Sequence, residues 1–344
     1  MKYIYIFVCI CCQFACKNSI NIELPNPPDR LVVNALLQPD SFVQVQVTLP
    51  GDMTGSGSFT YINDAIVEIW LNGVNQETLL NPYKGIYKST HIKTSIGKEY
   101  TIVVKTENYP EVSVKQTIPT IVPITDASSK FLKIYNPERV GRIPFEMEVQ
   151  FKDPANETNY YEIIFLHGTP NLTYFNGFYV PSPNGDSIFY PNDKMYEYYA
   201  QHKYTPNDTF SVELHLNEKV ESDDPLLKYE FDKNITLQSL VFSDVAFNGQ
   251  EVNLKAVAYQ FFQDLTNTPS LNFTVLRSVS KDYYLFMKSW YKHRQSRTFT
   301  PITGESLGIE MIGLNPIGVY SNIPNGFGLI AGFSQSMIYN IPIK

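Results

Sequence analysis

A chain of 344 residues with 43% hydrophobic content is long enough for one large or two ordinary folded units. Its formal charge of −7 argues against nucleic acid or an anionic membrane surface as the principal partner. The four cysteines are Cys9, Cys11, Cys12 and Cys16, so nothing after position 16 can form a disulfide, and the 24 Tyr and 22 Phe favour β structure.

The chain starts with Met1-Lys2, runs through an apolar stretch from Tyr3 to Cys12, and reaches Gln13-Phe14-Ala15-Cys16. A basic start, an apolar run of roughly ten residues and a small residue before the cleavage point make a secretory signal. That run is too short to cross a bilayer, which takes about 20 apolar residues. A cysteine directly after the small residue, followed by Lys17-Asn18-Ser19, is how a bacterial lipoprotein signal looks, here with Gln13 in place of the common leucine. Residues 1–15 are read as signal peptide and Cys16 as the lipidated residue, acylated with palmitate-like chains. Several chains on one residue hold a protein at a membrane effectively permanently, at about 0.8 kcal/mol per buried methylene. Residues 16–28 are the lipidated cysteine and a Pro- and Asn-rich tether. At roughly 3.3 Å per residue, residues 17–30 reach at most about 45 Å.

Beyond the tether, residues 29–118 alternate with a period of two. Val43, Val45, Val47 and Leu49 point one way and Gln44, Gln46 and Thr48 the other, as in a half-buried strand. Ala65, Val67, Ile69 and Leu71 repeat the pattern and close on the turn pair Asn72-Gly73. Short strands follow around Leu31-Val32-Val33, Ile86-Tyr87, Tyr100 to Val104 and Val112 to Val114, and Gly51 to Ser58 reads as an exposed loop. Strands recurring this regularly, with turns between them, predict an immunoglobulin-like β-sandwich. Residues 119–123, with Pro119 and Pro123 bracketing an apolar pair, read as a linker.

Residues 124–344 read as a larger, β-sandwich-like domain, so the fold class is mainly β. Strand alternation runs through 145–151, 160–166, 210–216 and 252–257. One amphipathic helix interrupts it near 281–295. Ser280 suits the N-cap and Asp282 the positive first turn, while Tyr283, Phe286, Met287 and Trp290 fall on one face and are expected to pack in the core.

Aromatics crowd residues 172–200 among Pro181, Pro183, Asn184-Gly185 and Pro191, which argues against one long strand. Tyr174, Phe175, Phe178, Tyr179, Tyr196, Tyr198 and Tyr199 form the candidate partner or ligand surface. Loop aromatics give large contact area at low entropic cost; the competing reading is that half of them cover the core. The five histidines form no i, i+4 pair, although His202 and His215 lie near Glu197 and Glu213 and could share a metal. Isolated histidines are the preferred reading, and no catalytic residue, metal or cofactor is assigned. Gly326, Gly328 and Gly332 are read as a tight bend feeding the last strand rather than as a ligand loop.

Several segments together resemble a family of outer-membrane lipoproteins of Bacteroidetes built on a domain of unknown function, often encoded beside TonB-dependent receptors. They are Ile22-Glu23-Leu24-Pro25 after Cys16, Arg30-Leu31-Val32-Val33-Asn34, Phe151-Lys152-Asp153 ahead of Asn159-Tyr160-Tyr161, and Phe242 to Gly249. The C-terminal matches are Ser278 to Tyr284 and Tyr320 to Gly332. The resemblance implies outer-membrane location and a receptor neighbour, and no established activity. The expectation is a non-catalytic accessory of a TonB-dependent receptor in nutrient capture or uptake. A stand-alone glycan- or peptide-binding surface lipoprotein is the alternative, and a hydrolase with a carboxylate pair from distant segments ranks last. Lys17-Asn18-Ser19 lacks the acidic cluster that often marks surface export in such bacteria, which leaves both the periplasmic and the cell-surface side open.

Cys16→Ala is expected to release the protein from the membrane or leave it as unprocessed precursor. Labelling with a fatty-acid analogue checks this, and unchanged labelling of the variant contradicts the assignment.

Overall fold

The computed structural model describes residues 30–51, 60–80, 82–132, 142–170, 177–181, 187–191, 212–217, 219–228, 230, 237–261, 271–297 and 317–340. The fold is mainly β. The first seven strands are β1 (Val32–Leu37), β2 (Phe42–Thr48), β3 (Ile66–Leu71), β4 (Val74–Leu79), β5 (Ile86–Lys93), β6 (Glu99–Lys105) and β7 (Val112–Thr117). Their alternating valines face inward: Val43, Val45 and Val47 are buried, while Phe42 before them and Gln44 between the first two are exposed and Gln46 is half-buried. Strands β1-β2-β5 form one layer and β4-β3-β6-β7 the other, the seven-strand arrangement of an immunoglobulin-like sandwich.

Two polar devices lock this sandwich. Tyr100, at the start of β6, turns its hydroxyl back to accept the Ser95 N–H at 3.0 Å. This is the tyrosine corner of immunoglobulin-like folds. At the facing edges, the Glu77 carboxylate on β4 accepts backbone N–H groups of Thr90 (2.7 Å), His91 (3.2 Å) and Ile92 (3.0 Å) on β5. Burial alone would raise the Glu77 pKa, but those amides, with the Thr90 hydroxyl, outweigh it and take the carboxyl down to about 2. The side chain thus closes one open side of the sandwich.

The second unit contains β8 (Ile124–Phe131), β9 (Arg142–Lys152), β10 (Tyr160–Pro170), β13 (Val212–Leu216), β14 (Lys219–Glu221), β15 (Leu240–Ser243), β16 (Glu251–Phe261) and β17 (Leu271–Val279). Between β10 and β13 lies a hairpin of β11 (Gly177–Pro181) and β12 (Ser187–Pro191). Helix α1 (Lys281–Arg297) follows β17, and the 14-residue β18 (Phe327–Asn340) ends the order. Sheet β14-β16-β9-β8 faces β13-β10-β17 across a core of Phe145, Met147, Phe151, Tyr161, Phe165 and Leu276.

Strand β18 serves both units. Phe327 to Gly332 pair in parallel with β1, and Phe333 to Asn340 pair antiparallel with β17. A single sheet therefore runs β13-β10-β17-β18-β1-β2-β5. Two glycines make the junction feasible. Gly328 has φ +108°, and a Cβ there would fall 2.2 Å from the Val33 carbonyl oxygen; at Gly332 it would fall 2.7 Å from the Thr117 carbonyl oxygen. Asn322 bonds the Ile330 N–H at 3.0 Å and its carbonyl oxygen at 2.7 Å, and Asn34 accepts the Leu329 N–H at 3.1 Å.

Residues 29–118 are consequently not a self-contained sandwich. Ile323 and Ile330 complete its core from the far end of the chain. The segment after β7 runs between the two cores, with Ile118 buried in the first and Val122 in the second. One axis also emerges. From Phe327 beside the start of β1, β18 extends past the end of β1 at Leu37 and on to Asn340, about 46 Å at roughly 3.3 Å per residue. The first sandwich lies along its beginning and the second along its end.

Residues 30–118 expressed alone are expected to fold poorly, because β1 loses its parallel neighbour and the core loses two isoleucines. Fusing 317–333 through a flexible linker should restore a cooperative melt. Equal melting of the bare fragment and of that unit in the full chain would contradict the shared-sheet architecture.

Candidate functional site

Polar side chains concentrate where α1 crosses the sheet. Glu162 on β10 is buried, yet both its oxygens are occupied. Oε1 accepts from Ser239 Oγ at 2.7 Å; Oε2 accepts from the Tyr283 hydroxyl at 2.7 Å and from the Arg277 guanidinium at 3.0 Å. With its proton given to Glu162, Ser239 accepts the Tyr291 hydroxyl proton at 2.7 Å, while its own N–H donates to the Tyr291 oxygen at 3.1 Å. Arg277 lies 4.8 Å from the Phe333 ring centroid and reaches Gln335 at 3.2 Å. Burial, reinforced by the neighbouring Glu162 carboxylate, pushes the Tyr283 pKa well above the phenol range, so this hydroxyl stays protonated and donates.

A second carboxylate repeats the arrangement on the neighbouring helix residue, Tyr284, and one turn further on, Lys288. Glu230 accepts the Ser243 N–H (3.0 Å) and hydroxyl (2.6 Å), the Tyr284 hydroxyl (2.9 Å) and the Lys288 ammonium (3.1 Å). Burial works against its ionisation, but the Ser243 bonds and Lys288 prevail and hold its pKa below the usual glutamate value. Glu162 and Glu230 together clamp α1 to the sheet. At the helix start, the Ser280 hydroxyl accepts the Tyr283 N–H at 3.4 Å, and Asp282 accepts the Tyr320 hydroxyl at 2.5 Å and the Gln116 amide.

The helix face differs from the sequence expectation at one position. Tyr283 is buried and Phe286 and Met287 pack against Val279, Leu329 and Phe333, but Trp290 is 39% exposed and stacks on His293. Tyr291 is buried in its place, drawn in by the Ser239 bond.

The Phe151-Lys152-Asp153 and Phe242–Gly249 motifs meet in a loop clasp. Asp153 accepts the Tyr161 hydroxyl at 2.5 Å and the Gly249 N–H at 2.7 Å. Asp244 accepts the Asn159 N–H at 2.8 Å and the Asn248 amide at 3.1 Å. Burial raises the Asp153 pKa despite those donors. Asp224 caps a short 3-10 turn through the Leu226 N–H at 3.0 Å. Sequence reasoning did not link these residues; the spacing between Glu162 and its donors Ser239, Arg277 and Tyr283 carries no local signal.

Of the candidate aromatic surface, Tyr174, Phe175, Tyr196, Tyr198 and Tyr199 lie outside the described residues, as do Cys16 and His202. Phe178 and Tyr179 fall on β11, where Phe178 stands opposite Tyr190 and Tyr179 opposite Phe189. Among the described residues this hairpin pairs with no other strand. It belongs to the connection that leaves β10 at Pro170, beyond the β18 end marked by the pair Asn272↔Asn340. The insertion therefore springs from the pole opposite the start of β1. His167 bonds Asn217 at 3.0 Å, and His215 is its ladder partner on β13. Among the described residues no group of three or more His, Cys, Asp or Glu could hold a metal ion.

Residues 17–338 match the family model described as "Domain of unknown function (DUF4249)", so the chain belongs to that family. No curated protein matches the chain significantly. The collagen binding domain of the Erysipelothrix rhusiopathiae surface protein RspB is similar at 8% identity over 93% of this chain and 98% of that one, with a TM-score of 0.17. A structure titled as manganese lipoxygenase of Gaeumannomyces graminis with part of zonadhesin of Komagataella pastoris is 11% identical, over 74% of this chain and 89% of that one, with a TM-score of 0.16. At such TM-scores neither likeness bears on function.

Arg277→Met strands the buried Glu162 carboxylate and is expected to cost about 3–5 kcal/mol. Glu162→Gln should cost less, since the amide oxygen still accepts, and adding it to Arg277→Met should recover part of the loss. Denaturant midpoints of the three variants check this; a neutral Arg277→Met would contradict the clamp.

Proposed function

We propose that this member of the DUF4249 family is a non-catalytic lipoprotein of the outer membrane, anchored through Cys16. In this reading it serves as accessory to a TonB-dependent receptor in capturing or passing on a nutrient. The observation that carries the reading is the polarity of the body. The chain enters from the Cys16 tether at the start of β1, while the aromatic insertion arises at the opposite pole, beyond Pro170. A lipid at one pole and an aromatic-rich segment at the other suit a molecule that holds a contact surface away from the membrane. The internal carboxylates fit a scaffold rather than a reaction centre: Glu162, Glu230 and Asp153 each accept several donors from their own chain and use them to fix α1 and the loop clasp.

A stand-alone glycan or peptide binder is the second reading, favoured by the separate β11–β12 hairpin, whose ladder pairs aromatic with aromatic. Aromatic ribbons provide stacking platforms for sugars and anchors for peptides.

Affinity capture of the native lipoprotein from outer membranes, with identification of what co-purifies, separates the two. A β-barrel receptor is expected; ligand binding by the purified protein without a receptor would favour the second reading. Replacing Tyr174, Phe175, Tyr198 and Tyr199 by Ser should weaken capture at least about tenfold with an unchanged melt, since interface energy concentrates in a few aromatics worth about 2 kcal/mol or more each. A normal melt with undiminished capture eliminates this surface.

A further inference from the structure

We infer that the pole of the first sandwich from which β1 begins is itself a membrane-contacting surface, seated on the lipid to which Cys16 tethers the chain; this rests on the lipid-anchor reading above. Strand pairings locate the pole. Val32 stands opposite both Thr48 and Phe327, Thr48 bridges to Tyr61, and Val47 bonds Gly85 in the turn after β4. From β18 to β5 this edge crosses three strand spacings, about 14 Å at roughly 4.8 Å each.

Large apolar side chains stand out along it. Tyr83 is 72% and Leu80 70% exposed, and Tyr61 and Phe327 are exposed as well. Two cations accompany them: the Arg30 guanidinium sits 6.0 Å from the Phe327 ring centroid, and Lys84 Nζ 5.4 Å from that of Tyr83. The presentation of Tyr83 is built into the backbone. Tyr83 and Ile86 exchange both backbone hydrogen bonds, at 3.1 and 3.0 Å, across a two-residue turn with Lys84 at φ 50° and Gly85 at φ 70°. This is the rigid type I′ turn. A Cβ at position 85 would meet the Val47 carbonyl oxygen at 2.4 Å, so glycine fixes the turn against β2.

Tyrosine and cations with long apolar stems are the residues that favour the boundary between headgroups and acyl chains. Among the described residues, the exposed acids of this pole, Asp64, Glu107 and Glu111, lie on or beside the opposite layer, in the approaches to β3 and β7. The contact therefore tilts towards the edge formed by β18, β1, β2 and β5. A patch this small would not recruit a free protein of net charge −7. The tether of residues 16–28 changes that, because the contact becomes intramolecular and benefits from an effective concentration of about millimolar.

The test uses the full lipidated chain, whose mature form has no cysteine after Cys16. Tyr83→Cys and, at the far end of the sandwich, Val74→Cys are each labelled with an environment-sensitive fluorophore. The proteins are then reconstituted into vesicles of phosphatidylethanolamine and phosphatidylglycerol carrying brominated acyl chains. Severalfold stronger quenching at position 83 than at 74 is expected. Vesicle-bound protein with equal or absent quenching at 83 overturns the docking while leaving the anchor intact. Protein that fails to float with the vesicles instead removes the anchor reading, and the docking with it. In cells, a photo-crosslinker at position 83 should give no adduct with a second protein; a discrete protein adduct would make this pole a protein interface and overturn the lipid assignment.

Discussion

The parallel pairing of β1 with the first half of β18 is the constraint on which the rest of the molecule depends. Parallel neighbours need a crossover connection, and here the connection contains nearly every other element of the fold. Neither sandwich can finish until the C-terminal strand arrives: the first lacks a neighbour for β1 and two core isoleucines, and the second lacks the partner of β17. Such non-local pairing predicts slow folding, because loop closure precedes the contacts that reward it. It also removes a hazard. Strand β1 would otherwise be an exposed edge of its layer, ready to pair with another chain, and β18 covers it.

Around that junction, hydrophobic burial and polar specificity divide the labour. Valines and isoleucines fill the first core and large aromatics the second. Helix α1 lies on the outer face of the shared sheet, over Leu329, Ala331 and Phe333. Its grip is only partly apolar. Glu162 receives Tyr283, Glu230 receives the adjacent Tyr284 and, one turn on, Lys288, and Tyr291 joins through Ser239. Buried ion pairs add little net stability over well-packed apolar residues, but breaking one is severe. The clamp therefore fixes where the helix sits more than how strongly the protein folds.

Much of this was legible from residue order and some was not. The two-residue alternation of 43–49 and 65–71 gave the strands of the first layers directly, and Ser280 with Asp282 marked the helix start. The reading of 326–332 as a bend into a last strand holds at Gly326 alone, for β18 already begins at Phe327 and Gly328 and Gly332 lie inside it, where the close approach of β1 and Thr117 requires glycine. The parallel partner of β1 left no trace, because its register joins residues nearly three hundred positions apart. The Glu162 network is silent for the same reason. The tyrosine corner could have been noticed, as Tyr100 opens a strand three residues after Gly97, which takes φ 71°. Trp290 and Tyr291 are adjacent, and helical periodicity alone could not tell which ring a buried serine would recruit. Of the proposed aromatic surface, only Phe178 and Tyr179 fall on described strands, and their short hairpin is compatible with turn residues that argue against one long strand.

The shared strand also makes the molecule a mechanical element. A pull applied ahead of β1 and opposed beyond the end of β10, as the proposed anchor and contact surface would impose, enters along β1 and leaves along β18 and β17. Between them, the force crosses the six residue pairs of the parallel ladder sideways. In that geometry the hydrogen bonds are sheared together rather than peeled one after another. Tension would accordingly be passed from pole to pole with little extension, leaving both sandwiches folded.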